Sequence, residues 1–170
     1  MSEHTFPSHL VDEETLKEIQ SFNRRTQSRV VAFQIICEED SNPKALGDQG
    51  EVAQQLDRQM IEESLETPDQ IKFAASLLRG IRLHKDEIDA EIANFAKNWS
   101  MTRMELTDRN VLRLGIYELL FTDTPAPIVI NESVEIAKAF GTENSGTFVN
   151  GILDRIAKAP KISKESEAKE

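Results

Sequence analysis

The chain is expected to fold as an all-α domain. Apolar residues recur at three-and-four spacing in one segment after another, and prolines fall between those segments. No stretch alternates apolar and polar residues for long enough to make a strand; the nearest, Pro127-Ile128-Val129-Ile130, is too short and too close to proline. Asp12 is a candidate N-cap for a short amphipathic helix with Leu16, Ile19 and Phe22 on one face. From Arg24 a second helix follows. Between Val30 and Cys37 its only polar residue is Gln34, so it should be enclosed on most of its circumference and lie centrally. Residues 41–50 concentrate Pro and Gly and read as a loop. Val52, Leu56 and Met60 then mark one face of a helix that stops near Thr67-Pro68.

From Ala74 through Leu77, Leu78, Ile81, Ile88, Ile92 and Phe95 to Trp99 the helical period continues across Gly80, which costs about 1 kcal/mol relative to Ala in a helix interior. This stretch is either one long helix or two meeting at Gly80. Residues 104–121 are almost continuously apolar after Val111 and form a core helix, which Pro125 and Pro127 prevent from continuing. Ile130, Val134, Ala137 and Phe140 outline the next helix, with Asn131 and Glu132 read as capping its start and Gly141 as a left-handed C-cap. Phe148, Val149, Ile152, Leu153 and Ile156 outline the last. There is no internal repeat. The organisation expected is an acidic extension over 1–23 with a net charge of −4, a helical domain over 24–158, and a disordered tail over 159–170 that has little apolar surface to bury.

Composition narrows the function. Twenty Lys plus Arg against thirty Asp plus Glu give a formal net charge of −10, which opposes a general electrostatic grip on nucleic acid and makes any such contact local. No apolar run approaches the roughly 20 residues of a membrane span, and no secretion signal opens the chain, so a cytoplasmic protein is expected. The single Cys37 cannot form an internal disulfide, and His4, His9 and His84 have no ligand spacing with it, so no metal site or cofactor is expected. Gly141-Thr-Glu-Asn-Ser-Gly146-Thr147 lacks the lysine and the preceding strand of a phosphate-binding loop and reads as a helix connection, with Asn144 or Ser145 capping the helix that follows. Glu62-Glu63, Asp86-Glu87 and Asp89-Glu91 read as solvated faces, and Cys37 as buried and inert. No nucleophile motif appears, and no enzymatic activity is expected.

Arg24, Arg25 and Arg29 open the central helix, with Arg25 and Arg29 on one face. Cations in a first turn oppose the macrodipole by about 0.3–1 kcal/mol each, whereas the same end suits an anion. From these residues alone, an anion site and a solvated face stay equally open. The latter could arise if the acidic segment 12–18 folded back, or if an uninterrupted preceding helix moved the true N-terminus upstream.

The second half carries ordered motifs: Trp99-x3-Arg103, Asp108-Arg-Asn-Val-Leu-Arg-Leu-Gly-Ile-Tyr-Glu-Leu-Leu120, Asp123-x-Pro125, Ile130-Asn-Glu-Ser-Val-Glu-Ile-Ala-Lys-Ala-Phe-Gly141 and Ser145-x2-Phe-Val-Asn-Gly-Ile-Leu-Asp154. With Arg25-x3-Arg-Val-Val-Ala-Phe-Gln34 and Leu77-Leu-Arg-Gly-Ile81, they resemble the NusB family of bacterial transcription antitermination factors over about residues 24–158. The resemblance implies two small helical bundles, about seven helices in all, without catalysis. It implies binding of the single-stranded boxA element of ribosomal RNA leaders together with the ribosomal protein NusE, in support of read-through by RNA polymerase and of rRNA synthesis. It places RNA contacts at Arg25 and Arg29, with Arg24 adjacent, and at Lys138, Asn144, Ser145 and Phe148. Phe148 is open between packing and stacking, while Trp99 and Tyr117 are read as core. Asp108 falls at an acidic position linked to the NusE partner. Cys37 stands where a tyrosine is common on the same partner surface, and Thr26, Gln27 and Ser28 thin the basic run. The alternatives are a protein adaptor or homodimer of this fold that has lost RNA binding, and a stand-alone relative of the RNA-binding module of rRNA cytosine methyltransferases.

Overall fold

Eight α-helices account for nearly all of residues 12–41, 51–97 and 103–159, the part of the chain that the computed structural model describes, and no strand occurs among these residues. They are α1 (Glu13–Ser21), α2 (Arg24–Ser41), α3 (Glu51–Ser64), α4 (Pro68–Leu83), α5 (Lys85–Phe95), α6 (Leu106–Phe121), α7 (Ala126–Phe140) and α8 (Ser145–Lys158). The all-α expectation holds. Trp99, the loop over 42–50, the tail over 160–170, and the side chains of Leu16, Val52 and Leu56 lie outside the described residues.

Local chemistry sets the boundaries. Asp12 caps α1 as expected, accepting the Thr15 N–H at 2.7 Å. The backbone then turns extended at Phe22, and Asn23 accepts the Thr26 N–H at 2.9 Å. Helix α2 therefore begins at Arg24, and no continuous helix carries its N-terminus upstream. Helix α4 opens with a reciprocal capping box between Thr67 and Gln70, with Pro68 in the first turn.

Four expectations about the elements need correction. The 71–99 stretch divides at His84 and not at Gly80. Gly80 lies inside α4, where a Cβ would collide with the ring of Tyr117; the glycine is there for close approach. Helix α7 starts at Ala126, so the 127–130 segment is helical and Pro127 sits in a first turn, where its fixed φ is already helical. Asn131 and Glu132 are then interior positions, not caps. Gly141, at φ −96° and ψ −160°, is extended and not left-handed; the Ser145 side chain and the Ala137 carbonyl crowd the place of a Cβ.

Helix α6 is the hub, in contact with α2, α4, α5, α7 and α8. Leu112, Leu114 and Ile116 on α6 meet Val30 and Val31 of α2 and Ile152 and Leu153 of α8 in one continuous buried cluster. At Gly115 an added Cβ would approach Leu153 Cδ1 and Ser133 Oγ to 2.8 Å, so the missing side chain lets α7 and α8 close on α6. Helix α1 is not a loose extension: it packs on α2 and α7, and its Ile19 is fully buried. No helix among the described residues is long and apolar enough to cross a membrane.

An ion-pair network ties the far end of α2 to α5 and α6. Asp40 accepts from Arg109 Nε, from Asn110 Nδ2 at 2.9 Å and from Arg113 Nη1 at 3.0 Å, while Arg113 also clasps Asp89 at 2.8 and 3.1 Å. Asp89 is thus a structural partner and not a solvated face. Burial works against the charge of Asp40, but the hydrogen bonds and charges of Arg109, Asn110 and Arg113 outweigh it and hold the carboxyl below its usual range. A depressed carboxyl contributes stability above its unfolded value of about 3.9 and loses it as the pH falls through the folded value. Urea unfolding across pH should show the native chain weakening below about pH 4. Asp40→Asn should be less stable at neutral pH and flatter in acid; parallel curves for the two proteins would remove Asp40 from the acid response.

Candidate nucleic-acid interface

The head of α2 carries adjacent exposed cations. Arg24 and Arg25 occupy its first two positions, both exposed, and neither forms an ion pair among the described residues. Arg25 rests with its guanidinium carbon 3.9 Å from the centroid of Phe73 on α4, a cation–π contact that holds the charge in place without neutralising it. The carboxylates of α1 do not fold back onto these arginines: Glu13, Glu14 and Glu18 make no ion pair with them among the described residues.

Arg29, expected at a phosphate, differs from its neighbours in being buried and internally paired. Its side chain is 5% exposed, with Nε and Nη2 donating to the two oxygens of Glu118 at 2.8 and 2.9 Å; Glu118 is 1% exposed. Nη1 lies 3.6 Å from Glu132 Oε2, which also accepts from Thr26 Oγ1 at 2.5 Å. This fork is filled from inside. Arg29 joins α2 to α6 and α7 and stands behind Phe73, 5.2 Å from its centroid.

An open cavity of roughly 680 Å³ lies beside Arg24 and Arg25, with Phe73, Asp123, Pro125 and Ile128 also on its walls. Ile128 is 48% exposed there, an apolar surface next to cations, as unpaired bases and their phosphates together require. The connection from α7 to α8 is a separate feature. Lys138 is exposed, with Nζ 3.8 Å from Glu135. Asn144 is exposed at the N-cap position but makes no capping hydrogen bond with its side chain, leaving the expectation of a capping role unmet. Ser145, also expected at the RNA, is 1% exposed, and its Oγ accepts the Thr142 N–H at 2.9 Å, which closes the turn. Phe148 is half-buried and packs against the core cluster. Tyr117 and Phe121 are likewise packed, with the Phe121 ring 3.8 Å from that of His84.

The two residues expected at a protein partner lie apart from this edge. Asp108, in the first turn of α6, is 8% exposed, and its Oδ1 is buried without a hydrogen-bond partner among the described residues. Cys37 is half-buried, and burial followed by the charge of Asp40 pushes its thiol up to about 12, so it stays protonated and unreactive. Sequence reasoning missed Phe73, Glu118 and Asn23. An aromatic six residues into α4 carries no local sign that it will meet an arginine of α2, whereas Asn23 directly before the arginines was a readable cap.

Fold and surface together define an all-helical protein with a localised cationic edge on an acidic body. The chain belongs to the NusB family, whose model matches residues 26–158. The transcription antitermination protein NusB of Bdellovibrio bacteriovorus is 37% identical over 137 residues, covering 79% of this chain and 96% of that protein. The same-named protein of Myxococcus xanthus is 50% identical over 99 residues, covering 58% and 71%. Among solved structures, NusB of Thermotoga maritima superposes with a TM-score of 0.70 at 39% identity, covering 85% of this chain and 98% of that one. A crystal structure of the antitermination factors NusB and NusE in complex with double-stranded RNA matches with a TM-score of 0.66 at 31% identity, covering 81% and 98%. Arg24, Arg25 and α1 precede the matched family span.

Proposed function

We propose that this protein is a transcription antitermination factor that binds the single-stranded boxA element of ribosomal RNA leaders together with NusE, so that RNA polymerase reads through terminators in rRNA operons. The observation that carries the reading is the pair of exposed arginines at the head of α2, one resting on Phe73, beside an open cavity with an apolar wall. In this reading Arg24 and Arg25 hold phosphates, while Lys138, Asn144 and the exposed edge of Phe148 meet the RNA further along. Arg29 keeps α2 in register, and Ser145 shapes the bend. Asp108 and Cys37 belong to the NusE side, where the unpartnered Asp108 Oδ1 would receive a donor from the partner.

Two phosphate contacts give a log–log salt slope of only about −1.4 for a single strand, at roughly 0.7 per contact, so the protein alone should bind modestly. NusE adds contacts and shares the ordering cost. Labelled boxA RNA should therefore bind more tightly with NusE present; equal affinity with and without it would remove the cooperative part. Arg25→Gln should weaken RNA binding several-fold at unchanged melting temperature, and normal binding by that variant would exclude Arg25 from the site. The internal pairing of Arg29 favours one rival, an adaptor of this fold that has lost RNA binding. That rival predicts intact NusE association with boxA and scrambled RNA bound equally poorly.

A further inference from the structure

A second cleft opens on the other side of the Arg25–Phe73 pair, between the first turns of α2 and α4. Its volume is roughly 510 Å³, and Arg24, Arg25, Lys72, Phe73 and Asp69 stand on its walls. Three cations face one carboxylate there, in a chain whose net charge is −10. Lys72 is exposed and makes no ion pair among the described residues.

The floor is built and held. Gln70 Nε2 donates to the Arg24 carbonyl at 3.0 Å and to Gln27 Oε1 at 3.2 Å, while Ser28 Oγ donates to the Gln70 carbonyl at 3.1 Å. Gln70 also closes the capping box of α4, so one side chain fixes the start of α4 against the start of α2. The backbone separation between Lys72 and the two arginines is therefore set by the fold, and the ordering cost that remains when an anion arrives is that of the side chains. Arg24 and Arg25 line both cavities, so a polynucleotide backbone leaving the α7 side, where Asp123 and Glu132 also stand, can cross the tip of α2 at these two cations and continue beside Lys72.

We propose that the α2–α4 cleft is a second phosphate subsite for single-stranded RNA, in which Lys72 contacts the backbone and extends the path begun at Arg24 and Arg25. The proposal rests on reading this edge as an RNA surface. The test is fluorescence anisotropy with a short labelled boxA RNA and a scrambled RNA, at two salt concentrations, on the full chain and on Lys72→Gln, Lys72→Arg, Arg25→Gln and Lys85→Gln, the last an exposed lysine on α5 as control. Lys72→Gln should weaken both RNAs alike by several-fold and make the log–log salt slope shallower by about 0.7, as the loss of one backbone contact requires. Lys72→Arg should restore both quantities, and Lys85→Gln should change neither. Normal affinity and slope for Lys72→Gln alongside weakened binding by Arg25→Gln would overturn the subsite while leaving the RNA surface standing. Native-like binding by both variants would overturn the surface reading itself.

Discussion

Replacing Glu118 with alanine is expected to cost about 3–5 kcal/mol of folding stability, the range seen when one partner of a buried ion pair is removed. Arg29 is 5% exposed and uses two of its nitrogens on Glu118, so the variant would leave a guanidinium enclosed with only Glu132, at 3.6 Å, to answer it. The penalty comes from the stranded charge more than from the lost attraction. The double variant Arg29→Met/Glu118→Leu should accordingly recover much of the loss, because neither charge then needs compensation. Urea unfolding of the single and double variants measures both quantities. A loss below about 1 kcal/mol for Glu118→Ala would mean that Glu132 or water takes over, and the description of Arg29 as an internal strut would fail.

Ile19→Ala should be the second large effect, about 2–5 kcal/mol, because Ile19 is fully buried between α1 and the helices it packs on. Deleting residues 1–22 should be at least as costly and should not strengthen RNA binding by the folded protein. If α1 were a mask over the arginines, its removal would raise affinity. Asp12 instead spends its carboxylate on capping α1, which also pulls its own pKa down, and no α1 carboxylate pairs with Arg24 or Arg25 among the described residues. Thermal melts combined with RNA titrations of the truncated chain separate the two accounts. A truncated protein that melts like the full chain and binds boxA more tightly would restore the masking role and remove α1 from the core.

The readable parts of this molecule were those whose cause is local. Asp12 announces α1 because its carboxylate serves a donor three residues on, and the unbroken apolar run of α2 announces a central helix because so few of its positions can face water. Arg24 and Arg25 were legible as cations opening a helix, where they oppose the macrodipole, but the residues alone left an anion site and a solvated face equally open. Gly80 and Gly141 misled for the same reason in reverse. Each was read for what glycine does to its own backbone, yet each is set by a neighbour that needs the room: Tyr117 in one case, Ser145 and the Ala137 carbonyl in the other.

The amino-acid order alone determined that the chain is helical and that three arginines open its second helix. Which of those arginines remain available was decided only on folding. Arg29 and Glu118 are 89 positions apart, and Thr26 and Glu132 are 106 apart, so no periodicity reports their meeting. Helix formation is governed by bonds and side-chain neighbours within about four residues and leaves its mark on every turn. A buried charge pair depends on where whole helices settle against one another, and the two carboxylates that claim Arg29 look, along the chain, like any other acids on an acidic protein.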